Sequence, residues 1–249
     1  MGFTRKIKPL ITQSVLMLSV FAAGVVSIIA SRHDIRPPID CSKIGTHSLF
    51  VATFNNDNIG SPPDTSTLFG PPGAELILQC PGNNALVINS SSLSSKALKI
   101  TRSSSTCVII ARAGNGPHTS GIYYINYKAH SLITPQHLIS GLATSIADVD
   151  NNREISTKLY DNAYYLKQGN TYTPLAGDYD PNAAHTVHIE LNKNTNKYSM
   201  CIDNIPVANN RGFNSTTFGE FNELRFFMPA MVTDGFKTEY VLDEIRVHQ

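Results

Sequence analysis

The chain has 249 residues, of which 41% are hydrophobic and only 16% are charged, and its formal net charge is +1. This length and hydrophobic share are compatible with one large all-β domain that has a sizeable core. Because the sequence contains no basic patch, it gives no electrostatic support for binding nucleic acid, and we expect no nucleic-acid partner.

The N-terminus combines a basic start with a long uncharged segment. Arg5, Lys6 and Lys8 precede residues 9–31, which carry no charge, and the apolar part covers residues 15–30. This pattern predicts a signal peptide over residues 1–30. The uncharged stretch is also long enough for an uncleaved membrane anchor. Either way the body is exported, and we expect it in the periplasm, outside the cell or tethered to the membrane.

The body of the chain has the pattern of an all-β protein. Residues 31–48 are polar and contain Pro37-Pro38, which predicts a linker before a domain over residues 49–249. Short apolar and β-branched runs then alternate with turn clusters, which predicts a two-sheet antiparallel sandwich, with no helix beyond the N-terminal segment. The predicted strands are residues 48–54, 75–80, 85–89, 96–101, 107–113, 121–129, 138–146, 154–160, 185–191, 198–203, 223–228 and 240–247.

The last predicted strand changes its apolar phase part-way along. Tyr240 and Leu242 share one phase, whereas Ile245 and Val247 share the other. One extra residue in a strand produces this shift, so the sequence predicts a β-bulge at Asp243 and Glu244.

Four cysteines follow the N-terminal segment: Cys41, Cys80, Cys107 and Cys201. An even number in an exported chain favours disulfides. Cys80 and Cys107 each lie at the edge of a predicted strand and are the first pair we expect. Buried free thiols are the alternative, and the spacing fits no compact zinc site.

Four segments, in order, resemble motifs of the concanavalin A-like, laminin-G-like jelly rolls of exported bacterial proteins. The resemblance implies a jelly-roll sandwich over nearly the whole body and matches no family of known activity. Asn55 and Asn192 stand where that superfamily usually has acids, and the chain has no Trp. The segments are residues 54–62 (FNNDNIGSP), 95–100 (SKALKI), 185–203 (HTVHIELNKNTNKYSMCID) and 242–247 (LDEIRV).

The superfamily includes glycoside hydrolases and polysaccharide lyases, whose chemistries need different residues. The E-x-D-x-x-E strand that supplies two carboxylates in the hydrolases is absent. A lyase needs a base such as Tyr or His within reach of the substrate proton. A groove for this chemistry, or for ligand binding, is predicted from alternate polar positions on three strands: Tyr124, Asn126, Lys128, His188, Glu190 and Arg225. The ordinary solvent face of antiparallel strands gives the same alternation.

A glycan is the most plausible ligand class by resemblance, because sugars are usually held by flat aromatic faces and planar polar groups. Tyr164, Tyr165, Tyr172 and Tyr179 fall in predicted loops or strand edges, where binding residues concentrate. Tyrosine also suits half-buried strands without any binding role.

A structural calcium ion is the one cofactor that the sequence suggests. Asp57 follows the first strand and Asp243 lies in the last, and the resemblance implies that these terminal strands pair. Calcium prefers carboxylate and carbonyl oxygens, of which six to eight are needed. Residues 148–152 form a second acidic loop without the pattern of an EF-hand.

The sequence thus predicts an exported, non-catalytic β-sandwich that binds a glycan or another cell-surface partner. The alternatives are a polysaccharide-active enzyme of the lyase type and a structural envelope protein without a small ligand. The membrane is a partner only if the N-terminal segment is retained.

Overall fold

Two antiparallel sheets account for the regular structure of the chain. The computed structural model describes residues 39–116, 118–133, 141–148, 153–160, 163–168, 171–175, 183–213, 218–231 and 237–249. The predicted signal or anchor, Tyr179 and most of the second acidic loop lie outside these ranges. Within them, no helix is long and apolar enough to cross a membrane.

The described residues form fifteen strands. They are β1 (Ser48–Ala52), β2 (Glu75–Gln79), β3 (Ala85–Ser90), β4 (Ser95–Thr101), β5 (Cys107–Arg112), β6 (Ile122–Ile133), β7 (Leu142–Ala147), β8 (Arg153–Tyr160), β9 (Ala163–Gln168), β10 (Thr171–Pro174), β11 (His185–Asn192), β12 (Lys197–Ile202), β13 (Ile205–Gly212), β14 (Glu223–Met228) and β15 (Glu239–His248).

The strands divide into two sheets, which we call sheet A and sheet B. Sheet A has the order β13-β12-β11-β6-β15-β4-β3, and β1 also pairs with β15. Sheet B has the order β10-β9-β8-β7-β14-β5-β2. The terminal strands pair as the resemblance implied, with Ala52 opposite Ile245. The prediction of an all-β, two-sheet sandwich is confirmed.

Alternating side chains create the core between the sheets. On β6, Tyr123, Ile125 and Tyr127 are at most 1% exposed and face sheet B, while the residues between them face outward. Phe226 on β14 meets Tyr127 edge-on at 5.1 Å between ring centroids. Burying one such side chain contributes about 1.5–3 kcal/mol, so the period-2 pattern determines which face is inside.

Three strands were missing from the sequence prediction. β9 and β10 form one edge of sheet B, and β13 forms one edge of sheet A. β10 is only four residues long and ends in Pro174, and β13 contains Pro206 near its start and polar residues in its second half. Proline and polar residues are tolerated at a sheet edge, where one side of the strand needs no partner. β10 and β13 therefore lack the apolar alternation by which the central strands were recognised, whereas β9 was missed although Tyr164 and Leu166 alternate with partly exposed residues.

The predicted β-bulge is confirmed. Asp243 lies opposite Lys128 and Arg246 lies opposite Asn126, so β15 has one residue more than β6 over this stretch. Glu244 takes up the difference with a φ of +50°. The bulge returns Ile245 and Val247 to the core and turns Glu244 and Arg246 to the outer face of sheet A.

Candidate functional site

The predicted ligand-binding residues of β6 and β11 lie together on the outer face of sheet A. Tyr124, Asn126 and Lys128 are on β6, and in the ladder His188 lies opposite Asn126 and Glu190 opposite Tyr124. The sequence alternation therefore placed these five side chains on one surface correctly.

The polypeptide itself covers part of this surface. Residues 39–47, which we call the strap, are linked by the Cys41–Cys201 disulfide to β12, where Cys201 lies opposite His188. The far end of the strap is held by two backbone hydrogen bonds between His47 and Gln249, of 2.8 and 3.0 Å. Part of the predicted linker is thus an ordered cover on sheet A.

Tyr124 and His188 are buried beside the strap. Tyr124 is 5% exposed, and the Lys43 ammonium lies 5.4 Å from its ring centroid. A hydrogen bond with Tyr124 raises the pKa of Lys43. Because the strap and β11 flank the ring, Tyr124 offers little free surface for stacking on a sugar.

The His188 ring is fixed in one orientation. Its Nδ1 lies 2.7 Å from Oδ1 of Asn126 and donates to that amide oxygen. Burial lowers the pKa of His188, and Asp40 on the strap opposes this shift. The ring is 3% exposed, and Nε2 has no hydrogen-bond partner among the described residues. A neutral, enclosed imidazole is poorly placed to remove a proton from a polysaccharide chain.

A small cavity remains between the strap and the β-bulge, and we call it the bulge pocket. Its volume is about 150 Å³. The Lys128 ammonium is 2.6 Å from Glu244, and Arg246 is 3.7 Å from the same carboxylate. The bulge pocket is lined by Ile44, Asn126, Tyr127, Lys128, Thr186, Glu244 and Arg246.

Arg225 does not belong to this surface, so the prediction that it lines the same groove is wrong. Its strand, β14, pairs with β5 and β7 in sheet B and not with β6 or β11. Nε of Arg225 donates to Glu223 at 2.7 Å, and Glu223 also accepts from Arg112 at 2.9 Å. The alternation of β14 identified an outward side chain, but it could not specify to which sheet the strand belongs.

The outer face of sheet B has a floor of small side chains. Ala143, Ser145 and Ala147 occupy its outward positions on β7, and Ser156 follows on β8. In the ladder, Ser145 lies between Arg225 and Ser156. Because Arg225 and Phe227 on one side and Lys158 on the other are much longer, the small residues form the floor of a narrow groove, in which Ser145 is 4% and Ser156 is 6% exposed.

Aromatic and basic side chains line the β8–β10 side of this groove. The Tyr172 hydroxyl is 3.4 Å from Oγ of Ser156, and the Lys158 ammonium is 4.9 Å from the Tyr172 ring centroid. Burial lowers the pKa of Lys158, and the neighbouring charge of Lys167 lowers it further. We define the sheet B groove by Ser145, Ser156, Lys158, Tyr172 and Arg225.

The tyrosines that the sequence places in loops or strand edges lie, where described, in β9 and in β10, which is the edge strand of sheet B. Tyr164 is 2% exposed in the core, whereas Tyr165 and Tyr172 are partly exposed on the outer face of sheet B. Their positions in regular strands give the latter two a fixed spacing.

The predicted calcium ligands lie near neighbouring residues of β4. The Asp64 amide donates to Asp57 Oδ1 at 3.0 Å, and the Lys96 ammonium donates to the Asp57 carbonyl at 2.8 Å. Asp243 accepts from Oγ of Ser95 at 2.6 Å. Its Oδ1 is buried and has no partner in the described part of the chain.

This arrangement fits calcium poorly. The Lys96 ammonium occupies one oxygen, and the named donors fall short of the six to eight that calcium requires. Among the residues that the structure describes, no group of three or more His, Cys, Asp or Glu side chains is arranged to hold a metal ion. Calcium at Asp57 and Asp243 stays a prediction.

Comparison with known proteins identifies the fold. The catalytic domain of a glycoside hydrolase family 131 protein from Coprinopsis cinerea aligns at a TM-score of 0.56 and 10% identity, covering 82% of this chain and 94% of that one. A sialidase aligns at 0.55 and 12% identity, with 82% of this chain covering 19% of the sialidase. The fold is a two-sheet jelly-roll sandwich.

A botulinum neurotoxin type C structure, from a study of cell entry dependent on two ganglioside molecules, aligns at a TM-score of 0.54 and 13% identity. That alignment covers 81% of this chain and 47% of the neurotoxin chain. No protein-family model and no curated protein matches the sequence. At identities of 10–13% the structural similarities establish the jelly-roll fold alone.

The two disulfides indicate an oxidising, exported environment. Cys80 pairs with Cys107, as predicted, and Cys41 pairs with Cys201. Disulfides of this kind persist outside the reducing cytosol.

Proposed function

We propose that this jelly roll is the glycan-binding domain of an exported protein, held in the periplasm, at the membrane or outside the cell, and that the sugar chain lies in the sheet B groove. The observation that carries the proposal is the placement of three partly exposed side chains, Tyr172, Lys158 and Arg225, around a floor of small side chains on the outer face of sheet B. Binding sites commonly combine a shaped cleft with a few convergent polar groups.

The side chains of the groove suit a sugar chain. Tyr172 supplies a partly exposed aromatic face, whereas Ser145 and Ser156, at 4% and 6% exposed, form the enclosed floor beneath it. Lys158 and Arg225 supply hydrogen-bond donors on opposite sides of this floor. Because these groups sit on paired strands, their positions are fixed before a ligand arrives, which reduces the entropic cost of binding.

Binding without catalysis is supported by the state of the acidic and basic groups. On the groove face, Glu75 and Glu223 are both ion-paired with Arg112, so neither is set aside as a general acid. On sheet A, His188 and Tyr124 are enclosed beside the strap. A lyase acting through that pair would require the strap to leave.

The test uses the full chain, purified in a mild detergent, on an array of glycans and polysaccharides read for both binding and product release. We expect binding without product release. Tyr172→Ala should weaken it about tenfold, whereas the matched variant Tyr172→Phe retains the ring and should bind nearly as well as the wild type. Release of unsaturated ends would overturn the proposal in favour of a lyase. Silence on every glycan would overturn it in favour of a structural envelope protein.

A further inference from the structure

The bulge pocket has the properties of a second binding site, separate from the sheet B groove. It lies on the outer face of the opposite sheet, between the strap, β6, β11 and the bulge of β15. Its volume of about 150 Å³ is below the range of about 300–1,000 Å³ that is usual for drug-sized ligands. The pocket therefore suits one small molecule or one residue of a longer chain.

The charges of the lining favour an anion. Two cations, Lys128 and Arg246, face one carboxylate, Glu244. Lys128 is closely paired with Glu244 at 2.6 Å, but Arg246 is 3.7 Å from it, beyond hydrogen-bonding distance. Nε of Arg246 is buried and has no hydrogen-bond partner among the described residues. That nitrogen is closed to solvent, but the Arg246 side chain as a whole is 40% exposed, so a ligand carboxylate can pair with the rest of the guanidinium.

The remaining lining favours a hydroxylated ligand. Asn126 and Thr186 bring an amide and a hydroxyl to the pocket, and Ile44 of the strap adds an apolar side chain that is 58% exposed. One face of a sugar ring carries C–H groups that pack on such a side chain, and its hydroxyls pair with amides and hydroxyls. A simple inorganic anion would leave these groups unused.

We infer that the bulge pocket binds a single carboxylate-bearing sugar residue, with its carboxylate at Arg246 and Lys128. The hydroxyls of the sugar pair with Asn126 and Thr186. Glu244 competes with the ligand for the two cations and so limits the affinity for acids.

The site is built by two features that lie far apart in sequence. The bulge turns Glu244 and Arg246 outward, and the Cys41–Cys201 disulfide holds Ile44 over the opposite side. The side chains of Glu244 and Arg246 lie outside the core cluster. They can therefore be substituted without removing core contacts.

The experiment compares glucuronate with glucose, because the two share a ring and differ in the carboxylate. Titration of the full chain in mild detergent is followed by calorimetry and by ligand-observed NMR. We expect glucuronate to bind at least tenfold more tightly than glucose. Arg246→Met should remove this preference, whereas Lys237→Met, an exposed lysine outside the pocket, should leave it intact.

Glu244→Gln separates ligand binding from a purely structural role. Removing the competing carboxylate should tighten glucuronate binding about fivefold, or about 1 kcal/mol, and leave glucose binding unchanged. Equal binding of the two sugars, binding unaffected by Arg246→Met, or absence of binding would each overturn the inference. Tyr172→Ala should not change the glucuronate titration, so failure of this site and failure of the groove proposal are distinguishable.

Discussion

Removal of the Cys41–Cys201 disulfide tests how the strap is held on sheet A. The variant Cys41→Ala/Cys201→Ala opens a loop of 160 residues. In the chain-entropy model, a cross-link over that length stabilises the folded state by at most about 5 kcal/mol. This limit applies only if the strap stays in place after the cross-link is removed.

The strap should detach, and the folded variant then recovers part of that entropy. Fixing the backbone costs about 1–2 kcal/mol per residue, and the strap side chains from Ser42 to His47 are largely exposed. Between Cys41 and the His47–Gln249 backbone pair the strap is a loop of a few residues, whose closure costs about 2.4 kcal/mol in the same model. We therefore expect the free energy of unfolding to fall by about 3 kcal/mol.

Urea unfolding, together with limited trypsin digestion at Lys43, measures both parts of this prediction. Cys80→Ala/Cys107→Ala is the control, because its loop of 27 residues predicts a loss of about 3.5 kcal/mol with the strap still docked. Lys43 should become cleavable only in the first variant. A loss near 5 kcal/mol with Lys43 protected from trypsin would show that the strap's other contacts are enough to hold it on sheet A. A loss below about 1 kcal/mol would refute the entropic argument.

Two further predictions concern pH and calcium. Burial lowers the pKa of His118, which donates from Nε2 to the Gly114 carbonyl at 2.9 Å. As pH falls below about 6.5, the unfolded chain therefore takes up a proton before the folded one, and the free energy of unfolding decreases. In urea unfolding at pH 7 and pH 5, this decrease should be smaller for His118→Gln than for the wild type. Calcium at Asp57 and Asp243 predicts a rise in Tm on adding calcium to protein treated with EDTA, absent in Asp243→Asn. An unchanged wild-type Tm would exclude that site.

Most of the central strands could be predicted because buried apolar residues alternate with polar residues along their sequences. On β11, Val187, Ile189 and Leu191 are at most 1% exposed, and the same residues alternate with polar ones in the sequence. The bulge was predictable for the same reason, since the apolar phase changes where an extra residue enters. Edge strands such as β10 and β13 bury less, and their sequences therefore carry a weaker signal.

The candidate sites were less predictable than the fold. Alternation places Arg225 on an outward face but does not say which sheet contains β14, because strand order depends on contacts distant in sequence. The groove floor was missed for a related reason. Ser145 and Ala147 form a groove floor only because β7 lies between the longer side chains of β14 and β8, and the sequence does not show that strand order.

The outer face of sheet A shows why an outward polar residue need not be a surface residue. Tyr124 and His188 alternate with core residues as solvent-facing side chains do, yet they are 5% and 3% exposed. Part of the cover is the strap, which the sequence suggested was a linker and which Cys41 ties to Cys201 beside His188. A pocket lined by Ile44 therefore depends on formation of that disulfide. Binding in the pocket would then require an oxidising compartment as well as the ligand.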